Sequence, residues 1–332
     1  MPTSGRLYRE GDADLAALAG QRVAIVGYGN LGRPAALNLR EAGVEVRVGL
    51  RADSPSASRA HVDGIPVVPL DEAIAQSDVV WLALPDEVAP ELFAPTAAVR
   101  PAAGTLLVLS SGYALAYDLV KLPEDLDAAL LAPRMIGRRL RALHQSGEGF
   151  YSFVSVEQDA TGTARARLLA LALAFGTLRA GALEVPARTE AALDLFVEQS
   201  VGPELGAAVL AAFEVGAAAG LPPEALALEL YLSGEMAATW EAFAEEGFFR
   251  GVRLHGHAAT FGGFLRTGDV DTEEMKRRFR STLEDITSGR FARRFQEEID
   301  AGSPTRALIE AMTNGNDPLS AAERLLRTNR AE

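Results

Sequence analysis

Short, unbroken apolar runs separated by helix-patterned polar stretches dominate the first half of the chain. Runs at Val23–Val26, Val44–Gly49, Val79–Leu84, Thr105–Ser110, Ala128–Ala132 and Tyr151–Val156 predict strands, with Leu183–Val185 as a short edge strand. They lack polar alternation, as parallel strands covered by helices on both faces do. Their alternation with helical stretches from Arg22 to about Val185 predicts a doubly wound α/β domain. Beyond about Ala187 the strand-like runs stop and the chain reads as helical to its end. Breaks are expected at Gly202-Pro203, Gly220–Pro223, Gly262-Gly263, Gly289, Gly302–Pro304 and Asn314–Pro318. The expected domains are residues 1–186, α/β, and 187–332, all-α. The most apolar stretch, Leu205–Leu221, is Ala- and Gly-rich and interrupted by Glu214. It is too short and too polar for a bilayer span and reads as a buried helix.

Composition narrows the class. A chain of 332 residues with 48% hydrophobic content has core enough for two domains. Its net charge of −13 argues against a nucleic-acid surface or an anionic membrane as partner. The absence of cysteine removes disulfides, thiolate catalysis and zinc–sulfur sites. Met1–Gly5 carries no apolar run before a cleavage-like site, so the expected location is cytoplasmic.

Candidate chemistry begins at the first strand. Val23–Val26 runs into Gly27-Tyr28-Gly29-Asn30-Leu31-Gly32, a G-x-G-x-x-G turn opening a helix-patterned stretch. Gly27 permits the tight turn, Gly29 lets a pyrophosphate approach the backbone, and Gly32 lets helix and strand pack closely, which is the Rossmann dinucleotide fingerprint. The second strand ends in Arg51 rather than the acidic residue that would hold a ribose 2′-hydroxyl, and Ser54 and Ser56 follow. That combination suits a 2′-phosphate and predicts NADPH; the alternative is a solvated loop with Arg51 paired to Asp53. In the helical half, Asp194 and Glu198 stand at i and i+4, on one face of a helix. Two like charges so placed suit a shared Mg²⁺ that keeps waters for substrate oxygens to displace, or else a merely solvated face. Arg134, Arg138 and Arg139 suggest a small anionic substrate, or again a solvated loop.

Several motifs taken together resemble short-form (class I) ketol-acid reductoisomerase. They are Gly27-Tyr28-Gly29, Val48–Arg51, Leu84–Val88, Gln158–Gly162, Asp194–Gln199, Asp285–Ala292 and Ala301-Gly302, in order along essentially the whole chain. The resemblance implies an enzyme that uses NADPH and Mg²⁺ to rearrange and reduce 2-acetolactate or 2-aceto-2-hydroxybutyrate in branched-chain amino-acid synthesis. It implies a knotted helical domain and a homodimer or higher homo-oligomer, with each active site built from two subunits. By motif, Gly27 to Gly32, Arg51, Ser54, Ser56, Leu84, Pro85, Asp86, Glu87 and on to Ala89, and Gly137 would line the cofactor, and Asp194 and Glu198 would hold the metal.

The departures from the family pattern are as informative. The family's His-Gly-Phe-Asn reads Ser111-Gly112-Tyr113-Ala114, and its Ala-Pro-Lys reads Ala132-Pro133-Arg134, with Met135 and Ile136 before Gly137. The second metal helix normally carries two glutamates at i and i+4. Here either Glu229 pairs with Ser233 or Tyr231 with Glu235, and the family's substrate-binding serine falls near Gly256, between His255 and His257. These changes strike alkyl migration, which needs polarising metal ions and a base, more than hydride transfer. The sequence therefore predicts a divergent NADPH-dependent reductase of a small anionic 2-oxo or 2-hydroxy-3-oxo acid or imine in a specialised biosynthetic pathway. Ser111, Arg134, Asp194, Glu198, Glu229 and Glu235 are its candidate catalytic residues. The alternatives are a true reductoisomerase and a non-catalytic cofactor-binding module.

Overall fold

The computed structural model describes residues 5–92, 99–251, 255–313, 315 and 317–328. The chain separates into two compact units, Met1–Leu193 and Asp194–Glu332. The division falls within the helix Ala187–Ala218, at whose start the sequence reading placed the boundary.

The first unit is built on a nine-stranded sheet. In chain order the strands are β1 (Leu7–Tyr8), β2 (Val23–Val26), β3 (Val46–Leu50), β4 (Val67–Pro69), β5 (Val79–Leu82), β6 (Leu106–Leu109), β7 (Asp127–Pro133), β8 (Ser152–Gln158) and β9 (Ala182–Glu184). Their order across the sheet is β1-β9-β8-β7-β6-β5-β2-β3-β4. From β4 to β7 all neighbours are parallel, with Ile25 beside both Val48 and Trp81. Successive side chains point to opposite faces. Val23, Ile25, Val79, Trp81, Leu106 and Val108 pack into one core, and Val26, Val80, Leu82, Leu107 and Leu109 into the other. Both faces being covered is why these strands read as unbroken apolar runs.

The sheet is mixed, whereas the apolar runs predict parallel strands throughout. β8 runs antiparallel to β7, with Ala132 opposite Phe153, and β1 runs antiparallel to β9. A buried apolar run reads the same in either direction, so direction is not written in the pattern. Two short strands, β1 and β4, are also additions. Each has only two or three residues, too few for any periodicity to register.

At the carboxyl edge the parallel strands deliver five loops side by side: residues 27–31, 51–56, 83–88, 110–112 and 134–137. Open α/β sheets bind ligands at this edge. The helix Gly137–Ser146 is fixed against Gly32–Glu41 by Arg141, which donates to Asn38 Oδ1 at 2.8 Å and Glu41 Oε2 at 2.8 Å.

The second unit is helical. The long helix Ala187–Ala218 leads into it, and Pro223–Ala227, Leu228–Leu232, Glu235–Glu246, His257–Thr267, Thr272–Thr287, Arg290–Asp300, Pro304–Thr313 and Pro318–Thr328 follow. The Asp285–Arg290 motif is a helix–glycine–helix corner. Gly289 takes φ of +74°, and Asp285 bridges the turn to Arg290 at 2.6 Å and Arg294 at 2.6 Å.

Three expectations for this half are corrected. Pro203 sits inside the helix Ala187–Ala218, and Gly262-Gly263 inside His257–Thr267, so neither breaks its helix. The apolar stretch from Leu205 is not buried: only 11% of the most apolar 18-residue window of its helix is covered. By length and composition that helix could cross a bilayer. The expected break at Asn314–Pro318 does separate two helices, although Asn314 and Asn316 lie outside the described residues.

Candidate functional site

The fingerprint loop is built as its glycines require. Gly27 turns the chain at φ +98°, a conformation that side chains resist. A Cβ on Gly32 would lie 2.2 Å from the Gly27 carbonyl oxygen, so that position admits only glycine. Gly29 has nothing within 4 Å of its missing Cβ, so its face is open to a ligand. The helical ladder begins with Arg33 N–H to Gly29 O at 3.2 Å, which leaves the preceding N–H groups outside it. Asn30 is exposed and Leu31 half-buried.

Tyr28 has a different role from its neighbours. Its ring is buried, and its hydroxyl donates to Asp63 Oδ2 at 2.8 Å. Arg33 forks onto the same carboxylate at 2.6 and 2.9 Å. Burial, with Asp63 second, pushes the Tyr28 phenol well up. Arg33 holds the Asp63 carboxyl below the usual range, with Tyr28 adding to it. Tyr28 therefore offers a cofactor its backbone and not its ring. Asp63, which the sequence reading missed, ties the fingerprint to the end of the helix Ser56–Val62.

That helix follows the turn at which a 2′-phosphate would be read. Ser54 N–H donates to Arg51 O at 3.0 Å, and Ser54 Oγ accepts the Ser56 N–H at 3.4 Å. The Arg51 side chain is exposed and has no hydrogen-bond or ion-pair partner among the described residues, Asp53 included. In the Leu84–Val88 segment Val88 N–H donates to Pro85 O at 3.0 Å; Pro85 is exposed, while Leu84, Asp86 and Glu87 are half-buried.

Further along the edge, one carboxylate joins two loops. Glu190 is fully buried, and its Oε2 accepts the Gly112 N–H at 2.7 Å. Its Oε1 accepts from Arg134 at 2.8 Å. Arg134 also lies 5.0 Å over the Phe153 ring and donates to Ala132 O at 3.3 Å. Its charge is thus paired with Glu190, while its side chain keeps some exposure at the edge. Ser111 Oγ accepts the Tyr113 N–H at 3.2 Å, just ahead of the short helix Tyr113–Ala116. Gly137 packs on the fingerprint, since a Cβ there would lie 2.0 Å from Asn30 O. Glu190 was also missed by sequence reasoning. The available signal was its place four residues before Asp194, continuing the i, i+4 series.

In the helical unit Asp194 is half-buried and Glu198 exposed, one helical turn apart. No group of three or more His, Asp or Glu able to hold a metal occurs among the described residues. The pair by itself fits Mg²⁺, which takes one or two protein carboxylates and keeps several waters. Glu229 and Glu235 do not form a second pair. Glu229 lies in a widened, π-helical turn at Leu228–Leu232, Gly234 then takes φ of +90°, and Glu235 starts a new helix. Ser233 Oγ accepts the Glu235 N–H at 3.3 Å, and the Tyr231 hydroxyl is bonded to Glu323. Burial first, and Glu323 second, push the Tyr231 phenol up to about 12. His255 and His257 are exposed; Leu254 lies outside the described residues.

Residues 17–181 match the family model of the acetohydroxy acid isomeroreductase NADPH-binding domain, and residues 188–332 that of the ketol-acid reductoisomerase C-terminal domain. The chain belongs to the ketol-acid reductoisomerase family. Among solved structures it is similar to an NADH-preferring ketol-acid reductoisomerase from an uncultured archean, at 29% identity and a TM-score of 0.90, over 97% of this chain and 98% of that one. A putative oxidoreductase from Jannaschia sp. CCS1 aligns at 17% identity and a TM-score of 0.57, over 82% and 97% of the two chains. A 1-pyrroline-5-carboxylate reductase from Streptococcus pyogenes aligns at 15% identity and a TM-score of 0.54, over 81% and 98%. The last two show the fold alone. As a member of the ketol-acid reductoisomerase family the protein is an NAD(P)-dependent oxidoreductase, with a Rossmann domain followed by a helical one.

Proposed function

We propose that the protein is an NADPH-dependent reductase of a small anionic 2-oxo acid, 2-hydroxy-3-oxo acid or imine, in which alkyl migration is lost or vestigial. The observation that carries this reading is the break at Gly234, which puts Glu229 and Glu235 on separate helical segments. Migration needs a hydroxyl and a carbonyl polarised together and a base for the hydroxyl proton. One carboxylate pair supports the first requirement only in part. Ser111, standing where the family has histidine, does not replace an imidazole near neutral pH.

Reduction asks less of the protein. NADPH, once bound, would supply the hydride, and Mg²⁺ held by Asp194 and Glu198 would supply an electrophile for the substrate oxygens. The open face at Gly29 and the N–H groups beside it suit the pyrophosphate. Arg51, without a partner among the described residues, favours a 2′-phosphate over a bare ribose together with Ser54 and Ser56. Glu190 holds the loops after β6 and β7 in place. A specialised biosynthetic pathway fits these departures better than housekeeping valine and isoleucine synthesis.

A homodimer or higher homo-oligomer is part of the proposal. Leu205, Leu210 and Val215 are exposed along the long helix, and a second copy of the chain would cover them. A monomer in light scattering at micromolar concentration would contradict that. NADPH consumption across a panel of 2-oxo acids, with and without Mg²⁺, tests the reductase reading. Activity confined to 2-acetolactate would favour the true reductoisomerase. No turnover, with tight NADPH binding, would favour a binding module.

A further inference from the structure

Resting on the dinucleotide reading above, we propose that Arg138 is a second cofactor contact, a guanidinium that closes on the pyrophosphate. Four arginines lie in and after the loop that follows β7, and they differ in what they do. Arg134 is bonded to Glu190, and Arg141 to Asn38 and Glu41. Arg139 also has a partner. Arg138 is exposed and has no hydrogen bond or ion pair among the described residues.

Its place in the chain directs it to the cofactor. Gly137, its neighbour, sits so close to the fingerprint that a Cβ would meet Asn30 O at 2.0 Å. Arg141, three residues on, pins the same helix to Gly32–Glu41, the helix that the fingerprint opens. Arg138 therefore stands in the first turn of a helix whose start touches the fingerprint loop, within reach of a ligand lying over it. Of the three fingerprint glycines only Gly29 has an open face, so a pyrophosphate can approach the backbone there, next to Asn30. A planar guanidinium matches two phosphate oxygens at once, and an unpartnered one brings no competing carboxylate. On a chain with net charge −13, such a local cation matters for holding a polyanion. Arg51 and Arg138 follow strands on opposite sides of β2 in the sheet order, and they would read different parts of one ligand.

The division of labour is testable in the full-length protein by titrating NADPH, NADH and 2′-phospho-ADP-ribose against wild type, Arg138→Ala and Arg138→Lys. The pyrophosphate is common to all three probes. Arg138→Ala should weaken each by the same factor, roughly tenfold or more, and Arg138→Lys by less. Unchanged melting of the variants would show that folding is intact. Equal affinity of wild type and Arg138→Ala for all three probes would overturn the proposal. So would a loss confined to NADPH and 2′-phospho-ADP-ribose, which would make Arg138 a reader of the 2′-phosphate. A wild type that binds none of the three would instead refute the underlying dinucleotide reading.

Discussion

Arg134 donates to Glu190 at 2.8 Å, and this ion pair, with Glu190 fully buried, couples the loop after β7 to the first turn of the long helix. The second Glu190 oxygen takes the Gly112 N–H, so one carboxylate fixes two of the five loops at the ligand-binding edge. A buried charge survives only when paired and hydrogen-bonded. Both conditions are met here.

Glu190→Gln should therefore destabilise the protein, by about 2 kcal/mol, since Arg134 loses its partner but keeps some access to water. Thermal melting measures this. Arg134→Met with Glu190→Gln should recover part of the loss. An Arg134→Ala variant that melts like wild type and shows only a raised KM would restore Arg134 to the role of substrate anchor.

Arg51→Ala should weaken NADPH by roughly 1.5–3 kcal/mol, the range for a lost charged contact, and leave NADH nearly unchanged. Fluorescence titration of both cofactors decides it. The structural relative that prefers NADH makes this comparison pointed. Equal losses for the two cofactors would show that Arg51 does not read the phosphate.

Asp63 gives the cofactor loop an acid limit. Arg33, and then Tyr28, hold its carboxyl below the usual range. Its contribution to stability is complete above about pH 4, where the unfolded group titrates, and fades as the pH falls through the lower folded value. Asp63→Asn should remove that part of the acid dependence and weaken both cofactors alike. Acid melting curves of variant and wild type that differ only by a constant offset would contradict this.

Much of this fold is legible in the sequence because Val23–Val26, Val79–Leu82 and Leu106–Leu109 are buried on both faces and read as unbroken apolar runs. Strand direction is not legible, since a short buried run such as Phe153–Val156 reads the same in either direction. The glycine fingerprint carries its geometry in its residue types: Gly27 makes the turn, Gly32 packs closely, and Gly29 leaves its face open. Glu190 and Asp63 escape notice because an acidic residue in a helix, or after one, looks like surface charge until its partners are known. The stretch after Leu205 reads as core from its apolarity, but apolarity does not say which surface covers it.

Asp194 and Glu198 should bind Mg²⁺ weakly, as a carboxylate pair that no third His, Asp or Glu joins among the described residues. Added Mg²⁺ should raise the melting temperature by mass action once its concentration passes Kd, and Asp194→Asn should abolish the gain. A melting temperature indifferent to Mg²⁺ in the wild type would remove the metal from the account.

Reduction should persist in this protein where migration does not. Methyl migration in 2-acetolactate moves the ketone to C2 and gives 3-hydroxy-3-methyl-2-oxobutanoate, with the hydroxyl proton passing to the C3 oxygen and no net redox change. Feeding each compound separately, with NADPH and Mg²⁺, and following NADPH absorbance isolates the two steps. NADPH should be consumed with 3-hydroxy-3-methyl-2-oxobutanoate, and the rate with 2-acetolactate should be at least about a hundredfold lower, the order of a lost acid–base group. Comparable rates with the two compounds would contradict it.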